Sequence, residues 1–382
     1  MKRALIVLLA VVALGLVLTG CQQGGTDTVK IGVNMELSGA VATYGQSTMD
    51  GIELAIDEVN AAGGIDGKQV ELVKYDNKSD AAEATTLATK LMTEDDVACV
   101  LGPATSGAFK AEIPVANDNK VPVISGSATA DDVTVDASGV KEYAFRICFN
   151  DSYQGTAMAN FAYKNLKVKK VVIILDNASD YSKGLAKSFK DTFTEVGGTI
   201  AAEEAFVAGE TDFNAVITKI KDKDFDAIFI PGYYQEAGLI IKQARAQGID
   251  VPIMGADGFD SPTLVELSGA AAANDIYFSN HYSSLDEESV VVDFIKAFKE
   301  KHEKDPDAFN ALGYDLAKFA CDGIERAGGE GGEALKDALA GTEEFKGVTG
   351  TFSVDENHNP VKAVVVIEMQ DGKQVSSVRA GL

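Results

Sequence analysis

The 382-residue chain is predicted to be an α/β protein of two Rossmann-like lobes, each built on a parallel-sheet core. Three observations predict it. Strand-like apolar runs alternate with amphipathic helical stretches, and that order is written twice along the chain. The run Val171-Val172-Ile173-Ile174-Leu175 is continuously apolar, as suits a strand covered on both faces. No proline-rich or low-complexity linker parts the two series, so the lobes should be joined by short strands crossing between them.

Taken in order, the chain opens with Lys2 and Arg3, followed by an uncharged apolar run from Ala4 to Leu18. That run falls short of the roughly 20 residues a permanent membrane span needs, which disfavours an uncleaved anchor. It fits a secretory signal peptide over residues 1–20. Leu18-Thr19-Gly20-Cys21 resembles the bacterial lipoprotein processing motif, in which the cysteine is lipidated and becomes the new N-terminus. Residues 21–27 then form a polar tether. A chain processed in this way hangs from the membrane by acyl chains and has no spanning helix.

Strands are predicted at Val29 to Met35, Gln69 to Tyr75, Val97 to Leu101 and Val121 to Ile124. Helices are predicted between them at Thr48 to Ala61, Ala81 to Met92 and Ala108 to Asp118. Met49, Ile52, Ala55, Ile56 and Val59 recur at helical spacing and form one buried stripe. Gly63-Gly64 stops that helix. Asp80 and Glu83 have the spacing of a capping box. The second series predicts strands at Lys170 to Leu175, Thr199 to Phe206, Asp226 to Ile230 and Pro252 to Met254. Its helices are Gln154 to Asn165, Ser182 to Val196, Phe213 to Lys221 and Ala237 to Gln247. The segment after Ser289 predicts helices at Val290 to Lys301 and Ala308 to Ala327, then strands at Val361 to Met369 and Gln374 to Arg379. It is too small for a third α/β domain and should complete both lobes.

A net charge of -24 repels nucleic acid and anionic surfaces, so a role in binding phosphate backbones is excluded. Cys99, Cys148 and Cys321 lie in apolar contexts, in odd number and with no close pair. They read as buried small hydrophobes, with a pairing of two left open. The three histidines, His281, His302 and His358, lack metal-ligand spacing, and His302 reads as part of an exposed helix end. There is no Walker loop and no Gly-x-Ser-x-Gly elbow. Neither an enzyme nor a metal or cofactor site is expected.

What recurs is small hydroxyl and glycine residues at strand ends: Leu101-Gly102-Pro103-Ala104-Thr105-Ser106-Gly107, and Ile124-Ser125-Gly126-Ser127-Ala128-Thr129. In open α/β sheets ligands gather at the carboxyl ends of strands, where helix N-termini offer unpaired N–H groups to anions. A single such loop is more simply a helix cap. Two in one lobe weaken that simpler reading.

Ile31-Gly32-Val33-Asn34 through Leu37-Ser38-Gly39, Tyr44-Gly45-Gln46 and Gly51-Ile52-Glu53-Leu54-Ala55 are similar to the opening of branched-chain amino acid binding proteins. Ala62-Gly63-Gly64-Ile65-Asp66-Gly67-Lys68, Leu101-Gly102-Pro103, Phe145-Arg146, Asp151, Gln154-Gly155 and Gln243-Ala244-Arg245-Ala246-Gln247-Gly248 continue the resemblance. These are periplasmic binding proteins of the type I fold. The resemblance implies a three-strand hinge with crossovers near Cys148–Asp151, Phe278–Tyr282 and Thr351–Val361. Lobe 1 would then comprise 28–149 plus 280–350, and lobe 2 150–279 plus 351–382.

The resemblance also implies a ligand set. Ser106 would hold the ligand carboxylate, with further contacts from Ser127, Ala128 and Thr129. Asp257, in Gly255-Ala256-Asp257-Gly258, would meet the ammonium group where the leucine-isoleucine-valine binder carries Glu. Tyr44, Tyr181, Tyr233 and Tyr282 would form the walls. Tyr233 is preferred over Tyr234 because the two point to opposite faces if the strand persists that far. The implied function is capture of a hydrophobic amino acid by a monomeric lipoprotein outside the cytoplasm and delivery to a membrane ABC permease. The alternatives are a sensor domain of the same fold, or a binder of another small carboxylate.

Overall fold

The structure, a computed structural model, describes residues 28–380. The expected signal peptide, the tether and the lipidation site Cys21 lie outside the described residues. β1 (Val29–Met35) is buried along almost its whole length because it lies inside a sheet, between β2 (Val70–Asp76) and β3 (Val100–Leu101). Helices α1 (Ala42–Ala61), α2 (Ala81–Thr93) and α3 (Ser106–Asn119) make the crossovers. β4 (Val123–Ser125) and β7 (Ala144–Arg146) complete a five-stranded parallel sheet in the order β2-β1-β3-β4-β7, with the small hairpin β5 (Val135–Asp136) and β6 (Gly139–Val140) between them.

The second series begins at α4 (Asp151–Lys164) and alternates through β8 (Lys170–Asp176), α5 (Asp180–Glu195), β9 (Thr199–Phe206), α6 (Asn214–Lys221), β10 (Ala227–Phe229), α7 (Tyr234–Ala246), β11 (Ile253–Gly255), α8 (Pro262–Ser268) and β12 (Ile276–Asn280). These five strands pair in parallel. After α9 (Ser289–His302), α10 (Ala308–Arg326), α11 (Gly332–Ala340) and the hairpin β13 (Phe345–Gly347) and β14 (Gly350–Phe352), the chain returns to this sheet as β15 (Val364–Gln370) and β16 (Lys373–Ala380). These two join antiparallel. The expected parallel core is thus extended at one edge by two antiparallel strands, β15 and β16, joined by a tight turn that permits only antiparallel pairing.

The chain passes between the two sheets after β7, after β12 and between β14 and β15. Helices α9 to α11 do not follow their sequence neighbours to the second sheet; α10 packs along α1 beside the first. The two helix backbones touch there. A Cβ on Gly51 would lie 2.0 Å from the Asn310 carbonyl oxygen, and one on Gly313 would lie 2.0 Å from that of Thr48.

Local chemistry explains several boundaries. Gly63 and Gly64 adopt φ of 114° and 78° and end α1, conformations that side chains disfavour. Asp80 caps α2 by accepting from the Glu83 amide at 2.8 Å, but the Glu83 carboxylate pairs with Lys78 instead of closing the expected box. The reciprocal box occurs at α10, between Asp307 and Asn310. α1 starts at Ala42, six residues before the expected Thr48, because Tyr44 and Ser47 are drawn into packed surroundings. β7, β12, α11 and the short hairpins carry too few residues to show a period. All three internal cysteines are buried and unpaired. Burial pushes the Cys148 and Cys321 thiols up to about 12. His302 is largely covered and stacks on Phe298 at 4.5 Å, so the end of α9 is less exposed than its charges suggest.

Candidate ligand-binding site

Two strand-end loops of the first sheet and a short helical turn of the second face each other across a narrow, nearly closed cavity. Its walls are Tyr44, Ala104, Thr105, Ser106, Ser127, Tyr181, Tyr233, Asp257, Gly258 and Phe309. Larger clefts exist, including one of about 440 Å³ beside Asp260 and Asp307. The smaller one joins the carboxyl ends of strands from both sheets to a helix N-terminus, which is where this architecture holds ligands.

The loop after β3 delivers Ser106 to the first residue of α3. Thr105 precedes that helix, but its hydroxyl donates to Glu36 at 2.8 Å instead of capping it. Among the described residues no side chain caps the α3 amides, which suits a carboxylate arriving from the cavity. Glu36 is buried and also accepts from the Ala104 and Thr105 amides, so it pins the loop from behind. Burial raises its carboxyl above the usual range, against those hydrogen bonds. The loop after β4 is held in turn: Ser127 donates to the Ala104 carbonyl at 2.9 Å, and the Ala130 amide donates to the Ser106 hydroxyl at 3.1 Å. Arg146, fully buried in β7, donates to the carbonyls of Ala128 and Ala130.

Across the cavity, Asp257 opens a 3-10 turn that follows β11. It is 4% exposed. Its Oδ1 accepts from the Tyr181 hydroxyl at 2.7 Å, Gln154 Nε2 at 3.1 Å and the Gly258 amide at 3.1 Å. Its Oδ2 lies 3.3 Å from His281 Nε2. Burial pulls the His281 imidazole down to about 4, so at neutral pH it brings no positive charge to the carboxylate. Gly258 has no room for a side chain, since a Cβ would meet the Gly232 carbonyl and the Tyr181 hydroxyl, each at 2.9 Å.

Aromatic rings close the remaining sides. Tyr181 stacks on Tyr233 at 5.0 Å, Tyr44 meets Tyr233 edge-on at 5.5 Å, and Tyr44 stacks on Phe309 at 4.3 Å. The Tyr44 hydroxyl donates to the Gly258 carbonyl at 2.5 Å, tying the first loop set to the second. Burial holds the Tyr44 and Tyr181 hydroxyls well above the usual phenol range, so they act as neutral donors.

Six of the expected side chains, Tyr44, Ser106, Ser127, Tyr181, Tyr233 and Asp257, are thus brought together. Ala128 and Thr129 follow Ser127 but are not among the walls; the Ala128 carbonyl bonds to Arg146, and the Thr129 carbonyl accepts from the Asp151 amide. Tyr282 is placed elsewhere. It follows β12 into the larger cleft and meets Phe294 edge-on at 6.3 Å. Tyr233 and Tyr234 do not lie on opposite faces of a strand, because β10 ends at Phe229 and Tyr234 already begins α7. Both tyrosines reach the first loop set: Tyr233 lines the cavity, and the Tyr234 hydroxyl accepts from the Thr43 amide at 3.2 Å. Sequence reasoning missed Phe309, which at the start of an apolar helix reads as core, and Glu36, whose role depends on a loop 68 residues away.

A sequence model of the periplasmic binding protein family matches residues 28–374. The leucine-, isoleucine-, valine-, threonine-, and alanine-binding protein of Pseudomonas aeruginosa is 31% identical over 330 residues, covering 86% of each chain. A crystal structure of the branched-chain amino acid transporter substrate binding protein LivJ from Streptococcus pneumoniae, in complex with isoleucine, is 46% identical. It superposes with a TM-score of 0.88 over 92% of this chain and 99% of its own. The leucine binding protein LivK of Thermotoga maritima is 36% identical, with a TM-score of 0.86 over 92% of this chain and 99% of its own. With the family's sequence pattern matched over nearly all of the described residues, and with the same fold, this chain belongs to the periplasmic binding protein family, alongside its branched-chain amino acid binding members.

Proposed function

We propose that this chain captures a branched-chain or other hydrophobic amino acid between two lobes and delivers it to an ABC permease. The lobes are 28–149 plus 280–350 and 150–279 plus 351–382. Asp257 carries the reading. Among the described residues no Lys or Arg pairs with Asp257, and a buried carboxylate so placed is costly unless a ligand supplies the charge, as the ammonium of an amino acid does with hydrogen bonds. Opposite it, Ser106 and the uncapped amides of α3 suit the ligand carboxylate. The tyrosines and Phe309 supply apolar ring faces against which the side chain would pack. Recognition needs no covalent step, metal or cofactor. The protein acts as a monomer outside the cytoplasm, held to the membrane through a lipid on Cys21; no helix among the described residues is long and apolar enough to cross a membrane.

A thermal-shift screen against the amino acids tests this. Ligand at about 100 times its dissociation constant should stabilise the protein by roughly 2.7 kcal/mol. Leucine, isoleucine or valine should respond, and Asp257→Ala should weaken that binding by about 2–5 kcal/mol by leaving the ammonium unpaired. A response only to carboxylates without an amino group, or an unaffected Asp257→Ala variant, would remove the amino acid assignment.

A further inference from the structure

Behind Asp257 lies a polar cluster that does not itself line the cavity. Gln154, in the first turn of α4, is completely buried. Its Nε2 donates to Asp151 Oδ1 at 3.0 Å and to Asp257 Oδ1 at 3.1 Å. Its Oε1 accepts from the Ser279 hydroxyl at 2.8 Å and faces the Asp257 amide at 3.4 Å. The Asp257 carboxylate can only accept and the Asp257 amide can only donate, so the network admits one orientation of the Gln154 amide. All of its hydrogen-bonding capacity is then used.

We infer that Gln154 is a positioning residue for ligand recognition: its amide holds the Asp257 carboxylate in the direction from which it meets the ligand's amino group, and separates it from the Asp151 carboxyl. The inference rests on the proposed ammonium contact of Asp257. Three donors converge on Asp257 Oδ1, from Tyr181, Gln154 and the Gly258 amide, while among the described residues Oδ2 has only His281 at 3.3 Å. One oxygen is therefore saturated by the protein and the other keeps capacity for a ligand. Tyr181 and the Gly258 amide reach Asp257 from the cavity side and from its own turn. Gln154 is the partner that fixes it from behind, through Ser279 of β12 and the start of α4.

The Asp151 carboxyl is the competitor that this arrangement controls. It is buried, and its Oδ2 has no partner among the described residues. Burial first, and the Asp257 charge second, push it well above the usual carboxylate range and favour its protonated form. The donors that fix Asp257 Oδ1 all come from loops and helices of the second sheet.

The experiment is calorimetric titration of the purified protein with L-isoleucine and with its deaminated analogue, the same branched acid lacking the amino group. Wild type, Gln154→Met and Ser279→Ala are compared, and the melting temperature of each is recorded. Gln154→Met conserves volume and removes every hydrogen bond of the amide. Isoleucine should bind it on the order of 10- to 100-fold more weakly, the range for a lost hydrogen bond to a charged group, with the analogue unchanged. Ser279→Ala removes only one donor to the amide, so it keeps the question answerable if Gln154→Met does not fold. It should show a smaller loss, again confined to isoleucine. Equal weakening of both ligands in either variant would make Gln154 a packing residue and overturn the inference. Unchanged isoleucine affinity in a folded variant would overturn it as well. If wild type itself binds the two ligands equally, the ammonium contact fails and the inference falls with it.

Discussion

His281 shows how one buried side chain shapes its surroundings at the scale of a residue. It stacks on Phe149 at 3.7 Å, its Nε2 faces Asp257, and its Nδ1 has no partner among the described residues. Burial lowers its pKa from 6.5 to about 4 in the folded protein. An unfolded chain therefore takes up a proton that the folded one refuses between those values. The stability associated with the neutral imidazole is complete above pH 6.5 and is lost as pH falls toward 4. The difference in unfolding free energy between wild type and His281→Phe, from urea titrations, should decline over that window and stay level above it. A flat difference across both ranges would mean that the imidazole is not held neutral by the fold. The chain order places His281 far from Asp257, so this pairing could not be read before the fold was known.

At the scale of the element, the helices illustrate both what local chemistry specifies and where it stops. The Asp80 cap and the Gly63-Gly64 stop are readable in the sequence because each acts on its own helix within a few residues. The contact of α1 with α10 is different in kind, since Gly51 and Gly313 are some 260 positions apart and matter only because the two backbones touch. A methyl group at Gly313 would be forced against the Thr48 carbonyl. Gly313→Ala should destabilise the protein by about 1–3 kcal/mol, the range for overpacking a close interface, despite the higher helix propensity of alanine. Chemical denaturation measures it; a stabilised variant would show that the helices can separate at little cost. The same limit explains the early start of α1 at Ala42 and the end of β10 before Tyr233, where packing across the molecule overrides the local pattern.

Taken as a whole, the molecule shows the two sheets drawn together over the cavity. Besides the Tyr44 and Tyr234 contacts, Lys110 of α3 meets Asp180 at the start of α5 at 2.8 Å, while also pairing with Asp132. The Lys110 and Lys183 ammonium groups hold the Asp180 carboxyl down at about 2. The pair is partly exposed, so its worth is at most about 1 kcal/mol and is reduced by salt. Lys110→Ala should shift the ligand-free protein toward a more open form, seen as a larger radius of gyration in small-angle scattering at low ionic strength. The difference from wild type should shrink at high salt. An identical radius at low salt would show that this bridge does not bias closure. The alternation of strands and helices, the repeated series and the two hydroxyl-rich strand ends were all legible along the chain, because each is a pattern over neighbouring residues. The sequence by itself determined the α/β class, and the motifs it carries pointed to the family and to the serine, tyrosine and aspartate positions that line the cavity. Only the tertiary structure decided that Tyr282 turns into another cleft, that Phe309 and Glu36 serve the site, and that Gln154 and His281 stand behind Asp257. These depend on distances between residues remote in sequence, which packing sets and no local periodicity records.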